Sequence, residues 1–130
     1  MCGRLNVSEN PYIQALMKDL GMPLLPEFEP RWNVAPGTLI NVITQKQTTQ
    51  VRWGIDFNGF SHPNSRASTI IKRPELRDWL ARYKCLVPVN GFYEWPDTKL
   101  YPQWRGRDTR FHISTPQGAK FLAAFAKPVP

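Results

Sequence analysis

Residues 85–95 read CLVPVNGFYEW, two short apolar runs parted by Asn90-Gly91. Five residues rich in β-formers, Cys85–Val89, predict a buried strand, and Phe92–Trp95 predict a second one after the turn-forming Asn-Gly pair. The anomaly is Glu94, a carboxylate set among Phe92, Tyr93 and Trp95. Two readings of it stay open. It lies against apolar surface, where a carboxylate is suited to proton transfer, or strand alternation turns Phe92 and Glu94 to one face and Tyr93 and Trp95 to the other, with Glu94 solvated.

Outward from that stretch the chain repeats the same alternation of strands and turns. Leu39–Thr44 and Thr49–Gly54 are β-rich runs about a polar QKQT segment, which predicts a hairpin closed by Trp53-Gly54. Arg110–Ser114 and Lys120–Ala126 predict a last hairpin about Thr115-Pro116-Gln117-Gly118. Leu5–Val7 reads as a short strand. Helices are fewer. Asn10-Pro11 is an N-cap and first-turn pair, Ile13, Leu16, Met17 and Leu20 share a helical stripe, and Gly21 is placed to end it. Pro74 opens a second helix with the stripe Leu76, Trp79, Leu80 and Tyr83. Residues 22–30 read as a proline-rich connector, Arg31–Gly37 as a loop, and residues 55–68 as a turn-rich loop carrying Asn64 and Arg66. The fold class is α+β: a single domain over residues 1–130, mainly antiparallel strands and hairpins with two main helices.

Composition narrows the function. A 130-residue chain with 42% hydrophobic residues is globular rather than disordered. Seventeen Lys and Arg against ten Asp and Glu, a formal charge of +7, favour a polyanionic partner such as nucleic acid. Tyr101, Trp104, Arg105 and Arg107 mix stacking with phosphate-binding groups in residues 96–109. Two cysteines, Cys2 and Cys85, and two histidines, His62 and His112, do not make a zinc pattern, so neither metal nor cofactor is expected. Nothing resembles a leader or a membrane span; a cytoplasmic protein with free thiols, without a membrane partner, is the expectation.

The first residues, Met1-Cys2-Gly3-Arg4, carry distinctive chemistry. Removal of Met1 ahead of a small side chain leaves Cys2 with an α-amine and a thiol on adjacent carbons. Such a 1,2-aminothiol condenses with an aldehyde to a Schiff base, and the thiol then closes a thiazolidine ring.

MCGR at 1–4, RWNVAPG at 31–37, WG at 53–54, NSR at 64–66 and CLVPVNGFYEW at 85–95 together resemble the SOS-response-associated peptidase (SRAP) family in order and approximate spacing. The resemblance implies a compact mixed domain that binds single-stranded DNA, acts as a monomer, and links covalently to abasic sites through a Cys2 thiazolidine. By matched motif it implies that Cys2 is the nucleophile, Asn64 positions it and Glu94 handles protons. Arg4 and Arg66 would hold the DNA backbone. Asn33 and Pro36 would lie beside the site, and Trp53 would begin a DNA-facing loop. Two other functions remain open on the residues: a single-strand-binding module without chemistry, and an N-terminal-cysteine (auto)peptidase.

The chain departs from the family pattern at three places. Ile55-Asp56-Phe57 stands where Pro and Trp usually follow Trp-Gly, and Ser68 stands where a Glu usually follows the Asn-x-Arg motif. The family's later part, with its His-x-Arg-Met-Pro-like motif, has no counterpart, and neither His62 nor His112 has that context. The reading is of a truncated SRAP-like domain.

Overall fold

The computed structural model describes residues 2–8, 10–25, 29–106 and 110–128. Met1 and Arg107, both invoked above, lie outside them, as does the side chain of Asn10. In chain order the elements are β1 (Arg4–Val7), α1 (Asn10–Asp19), β2 (Arg31–Val34), β3 (Leu39–Ile43), β4 (Thr48–Arg52), β5 (Ile55–Phe57), β6 (Phe60–His62), α2 (Ala67–Lys72), α3 (Pro74–Tyr83), β7 (Lys84–Val89), β8 (Gly91–Glu94), β9 (Phe111–Ser114) and β10 (Lys120–Phe125). The strands pair antiparallel in two four-stranded sheets, β2-β1-β8-β9 and β10-β7-β3-β4, plus the small β5-β6 ribbon. The fold is therefore α+β, as the strand-rich sequence predicts.

The inner faces of the two large sheets meet over one apolar cluster. Leu5 and Val34 come from the first sheet and Ile40, Val42, Cys85, Val87 and Val89 from the second, with Trp53 at the rim. The alternation in β3 puts Ile40 and Val42 inward and Ile43 on the opposite face, where α1 covers it with Ile13 and Met17. Both α1 residues are fully buried. The helix ends at Asp19, with Gly21 in the left-handed region (φ 65) and the paired bonds Gly21 N to Lys18 O (3.1 Å) and Met22 N to Met17 O (2.9 Å). Leu20, expected on the stripe, lies past that end and is exposed. The α3 stripe holds: Leu76 and Trp79 are buried, and the Trp79 ring tilts against Phe125 at 6.2 Å.

Four expectations change. Arg31–Val34 is an edge strand, not a loop, because Val34 pairs with Leu5 even though only Val34 of the four is buried. Residues 55–62 form a hairpin about Asn58-Gly59, both at positive φ (51 and 79), the combination a two-residue type I′ turn requires. Residues 67–72 form a further helix that buries no side chain, so it leaves no apolar stripe to read. Finally, β9 and β10 do not pair with each other. β9 joins β8 in the first sheet, with Gly91 level with Ser114, and β10 joins β7 in the second, with Val89 level with Lys120.

The reason is a corner at Asn90, where the chain passes from one sheet to the other. Asn90 is 3% exposed. Its N–H donates to Asn6 O (2.8 Å), its Oδ1 accepts from Ser8 N (2.9 Å), its Nδ2 donates to Gly118 O (2.6 Å), and its O accepts from Ser114 Oγ (2.5 Å). Those contacts tie the end of β1, the end of β9 and the 115–119 turn to one residue. Gly91 follows because a Cβ there would meet the His112 ring and sit 2.6 Å from Ile113 O.

No helix among the described residues is long and apolar enough to cross a membrane. Asn90→Ala strands the Ser8 N–H and the Gly118 carbonyl in the corner, and is expected to cost about 2–4 kcal/mol. Urea unfolding should show it as a lower midpoint at unchanged slope.

Candidate functional site

The antiparallel register of β1 on β8 decides what stands near the amino terminus. Arg4 is level with Tyr93, Leu5 with Phe92 and Asn6 with Gly91, so the next step outward sets Glu94 beside Gly3, one residue from Cys2. Glu94 shares a sheet face with Phe92 and Leu5 and is half-buried, at the end of the face that packs on the core. On its other side it is level with Phe111 of β9. The carboxylate thus lies at the margin of the inter-sheet core, between the two expectations for it. Cys2, also half-buried, packs against the same cluster.

Asn64 reaches Cys2 from a distant part of the chain. Its Nδ2 donates to the Cys2 carbonyl at 2.5 Å across 62 residues of sequence. The loop that brings it there is held by Trp53, whose Nε1 donates to Pro63 O at 2.8 Å. Trp53 also receives and donates backbone bonds, Gly37 N to Trp53 O (2.7 Å) and Trp53 N to Thr38 O (2.9 Å). Through its backbone and its indole together, Trp53 therefore couples the Pro36-Gly37 turn, the end of β4 and the Asn64 loop. Trp53 is only 8% exposed, so its place offers a brace for the site rather than a stacking surface for DNA.

The structure thus brings Cys2, Asn64 and Glu94 together. Burial pushes the Cys2 thiol above its ordinary value, and the Glu94 negative charge pushes it further, since both disfavour a thiolate. A backbone hydrogen bond offsets part of the effect. Cys85, buried in the core, is raised by burial alone. Reactivity at Cys2 therefore begins from a protonated thiol.

Around this centre, Arg66 is exposed two residues after Asn64, and its carbonyl accepts from Thr69 N and Ile70 N at the start of α2. Arg4 is half-buried on the sheet face opposite Glu94, alongside Tyr93. Arg110 lies over the Tyr93 ring at 5.8 Å, a cation–aromatic contact in keeping with the mixed composition. Asn33 and Pro36 are exposed, and Pro36 belongs to the turn braced by Trp53. His112 faces Asn6 (Nδ2 to Nε2, 3.1 Å) and Tyr93 (centroids 5.1 Å apart), on the face turned away from Glu94. His62 contacts the Phe57 carbonyl at 3.2 Å. Sequence reasoning missed the Trp53–Pro63 link; its only sequence trace is an indole before Gly54 and a proline before Asn64. No group of three or more metal-ligating side chains converges among the described residues.

Cys2, whose carbonyl accepts from the Asn64 amide and whose thiol feels the Glu94 charge, marks the candidate site on an antiparallel α+β fold. Residues 1–127 match the family described as SOS response associated peptidase (SRAP), and the chain belongs to that family. Over 117 residues it is 32% identical to the abasic site processing protein YoqW of Bacillus subtilis, covering 77% of this chain and 52% of that protein. It is 33% identical over 89 residues to YobE of the same organism, an abasic site processing protein too, covering 57% of this chain and 41% of that one. Among solved structures, a phage-related protein from Bordetella bronchiseptica aligns with a TM-score of 0.57 at 25% identity, covering 72% of this chain and 47% of that one. The chain spans about half the length of the curated relatives it matches.

Alkylation by iodoacetamide needs the thiolate. At neutral pH Cys2 should therefore react more slowly in the folded protein than in urea, with the difference closing as pH rises past the folded thiol's pKa. Glu94→Gln removes a repelling charge and should shift that profile to lower pH. Peptide mass analysis reads Cys2 and Cys85 separately, and an unmoved Cys2 profile in Glu94→Gln would show that the carboxylate does not act on the thiol.

Proposed function

We propose that the protein takes part in DNA repair at abasic sites: it binds single-stranded DNA and, with Met1 removed, links Cys2 to the ring-opened sugar aldehyde. The observation that carries this reading is the placing of Asn64 and Glu94 about Cys2. The family membership and the names of the curated relatives support it.

Each residue has a task that follows from its position. An α-amine is neutral in only roughly a tenth to a sixth of molecules at neutral pH, so a carboxylate beside it helps expose the lone pair. Glu94 accepts that proton. The amine nitrogen then bonds to the aldehyde carbon to give a carbinolamine, and Glu94 returns a proton to the hydroxyl, which leaves as water to form the imine. The thiol sulfur next adds to the imine carbon while its proton passes to the nitrogen, closing the five-membered ring. No oxidant or leaving group is needed beyond the water.

Ring closure then proceeds inside one residue, where proximity favours it strongly. Asn64 fixes the Cys2 carbonyl, which orients the amine and thiol that flank the same Cα. Arg4 and Arg66 supply charge for flanking phosphates, contacts that carry no sequence information.

Met-free protein incubated with a single-stranded oligonucleotide bearing one abasic site should give an adduct that survives SDS and heat. Cys2→Ala should abolish it, Glu94→Gln should slow it about 10²–10⁴-fold, and Asn64→Ala should slow it while leaving binding to undamaged strands intact. No adduct with wild type, together with salt-sensitive binding indifferent to the lesion, would instead mark a binding module. Cleavage of residues ahead of Cys2 that depends on Cys2 and Glu94 would mark the peptidase.

A further inference from the structure

The inner face of the first sheet is left uncovered at one strand. β9 is outermost in that sheet, and all four of its residues are exposed. Phe111 is level with Glu94 and Ile113 with Phe92, so both belong to the face that packs on the core, yet they are 47% and 39% exposed. Over Phe92 lies the ammonium of Lys120, the first residue of β10, at 5.1 Å from the ring centroid. Beyond it Phe111 and Ile113 overhang the second sheet. Trp104 meets Phe111 edge-on at 5.8 Å and covers only part of the ring.

Outer strands carry devices against pairing with a neighbour: a charge, a proline, a bulge or a covering helix. The other three outer strands of the large sheets have one. β2 carries Arg31 and an irregular register on β1, and β4 carries Arg52. β10 begins at Lys120 and is flanked by α3, whose Trp79 tilts against Phe125. β9, with the sequence FHIS, has none of these. Its ladder on β8 is regular, and the His112 ring leans back over Asn6 and Tyr93 rather than across the free edge.

The sequence of that edge is complementary to itself. When two copies of β9 run antiparallel about a two-fold axis through His112, Phe111 stands opposite the partner's Ile113, and Ile113 opposite the partner's Phe111. The four apolar side chains then form one strip on one face. A register shifted by one residue would turn the two apolar pairs to opposite faces, and one shifted by two would set Phe111 against the partner's Thr115. Charge opposes association, because each copy carries +7. At the edge itself the opposition is weak. The two Arg110 backbones are four strand steps apart, about 14 Å, which exceeds the screening length of about 8 Å at physiological salt, and each guanidinium lies over its own Tyr93 ring. We propose that a second copy of this chain pairs with the free edge of β9, antiparallel and centred on His112. The dimer joins the two four-stranded sheets edge to edge and sets the two Cys2 sites at opposite ends of the joined sheet. It does not depend on the reading of Cys2.

Sedimentation equilibrium of nuclease-treated protein, from about 1 μM to about 1 mM, covers the range of weak association. Wild type should pass from monomer to dimer across it. Added salt should strengthen the dimer by screening the charge on each copy, whereas association bridged by nucleic acid weakens with salt. Ile113→Lys puts a cation opposite the partner's Phe111 twice in each dimer and should weaken association about a hundredfold or more. Ile113→Val should keep the dimer, and the exposed position predicts that neither variant lowers thermal stability. Hydrogen exchange should show the Phe111–Ser114 amides slowing as concentration rises, with those of β2 and β4 unchanged. A monomer at every concentration overturns the proposal, even if β9 takes up a strand of another protein. So does a dimer that dissolves in salt, that survives Ile113→Lys, or that protects strands other than β9.

Discussion

The hydrogen bonds of one buried asparagine set the course of the chain from β7 onward. A side-chain amide with 3% of its surface exposed must find partners, because a buried group left unpaired costs about 1–3 kcal/mol. Asn90 finds them on β1, on β9 and in the 115–119 turn, so those segments converge on it. The chain then leaves the second sheet and enters the first within one residue. β8 is laid against β1 in a single register, and Glu94 comes to rest one residue from Cys2.

A second constraint works through the Asn64 segment. Asn64 sits on a segment with no core residue of its own, between a small hairpin and a helix that buries nothing. Its position is fixed by Trp53, which fills the rim of the core with its ring and uses its one indole N–H to hold Pro63. The site is thus assembled from three parts of the chain by two buried polar groups, each anchored in apolar packing. The same design accounts for the electrostatics at Cys2. Burial beside the core and the nearby Glu94 charge both disfavour a thiolate at Cys2, and both raise its pKa.

Much of this was legible along the chain. The Cys85–Val89 and Phe92–Glu94 strands, the β3-β4 hairpin, and the α1 and α3 stripes all carry a local signal: alternation, helical spacing, a proline or glycine at the boundary. The failures share a cause as well. β2 and α2 expose nearly all their side chains, so no periodicity marks them. The Asn58-Gly59 turn was marked by its residue types, but a three-residue strand on either side is too short to show a pattern. The apparent hairpin at 110–126 has a sound turn at 115–118, yet its two strands pair elsewhere because the Asn90 corner separates them.

The sequence by itself determined the chemical repertoire: a cysteine at position two able to yield a 1,2-aminothiol, an amide and a carboxylate in recognisable motifs, and a cationic surplus scattered over the chain. Those are properties of residue types and of order, which need no folding to be true. Only the tertiary structure decided that Trp53 is a brace rather than an exposed ring, that Glu94 and Asn64 approach Cys2 from different sheets and loops, and that Phe111 and Ile113 overhang the second sheet. These are matters of which strand pairs with which. Pairing is set by long-range burial and by the demand of buried polar groups for partners, and neither is written in any local stretch of the chain.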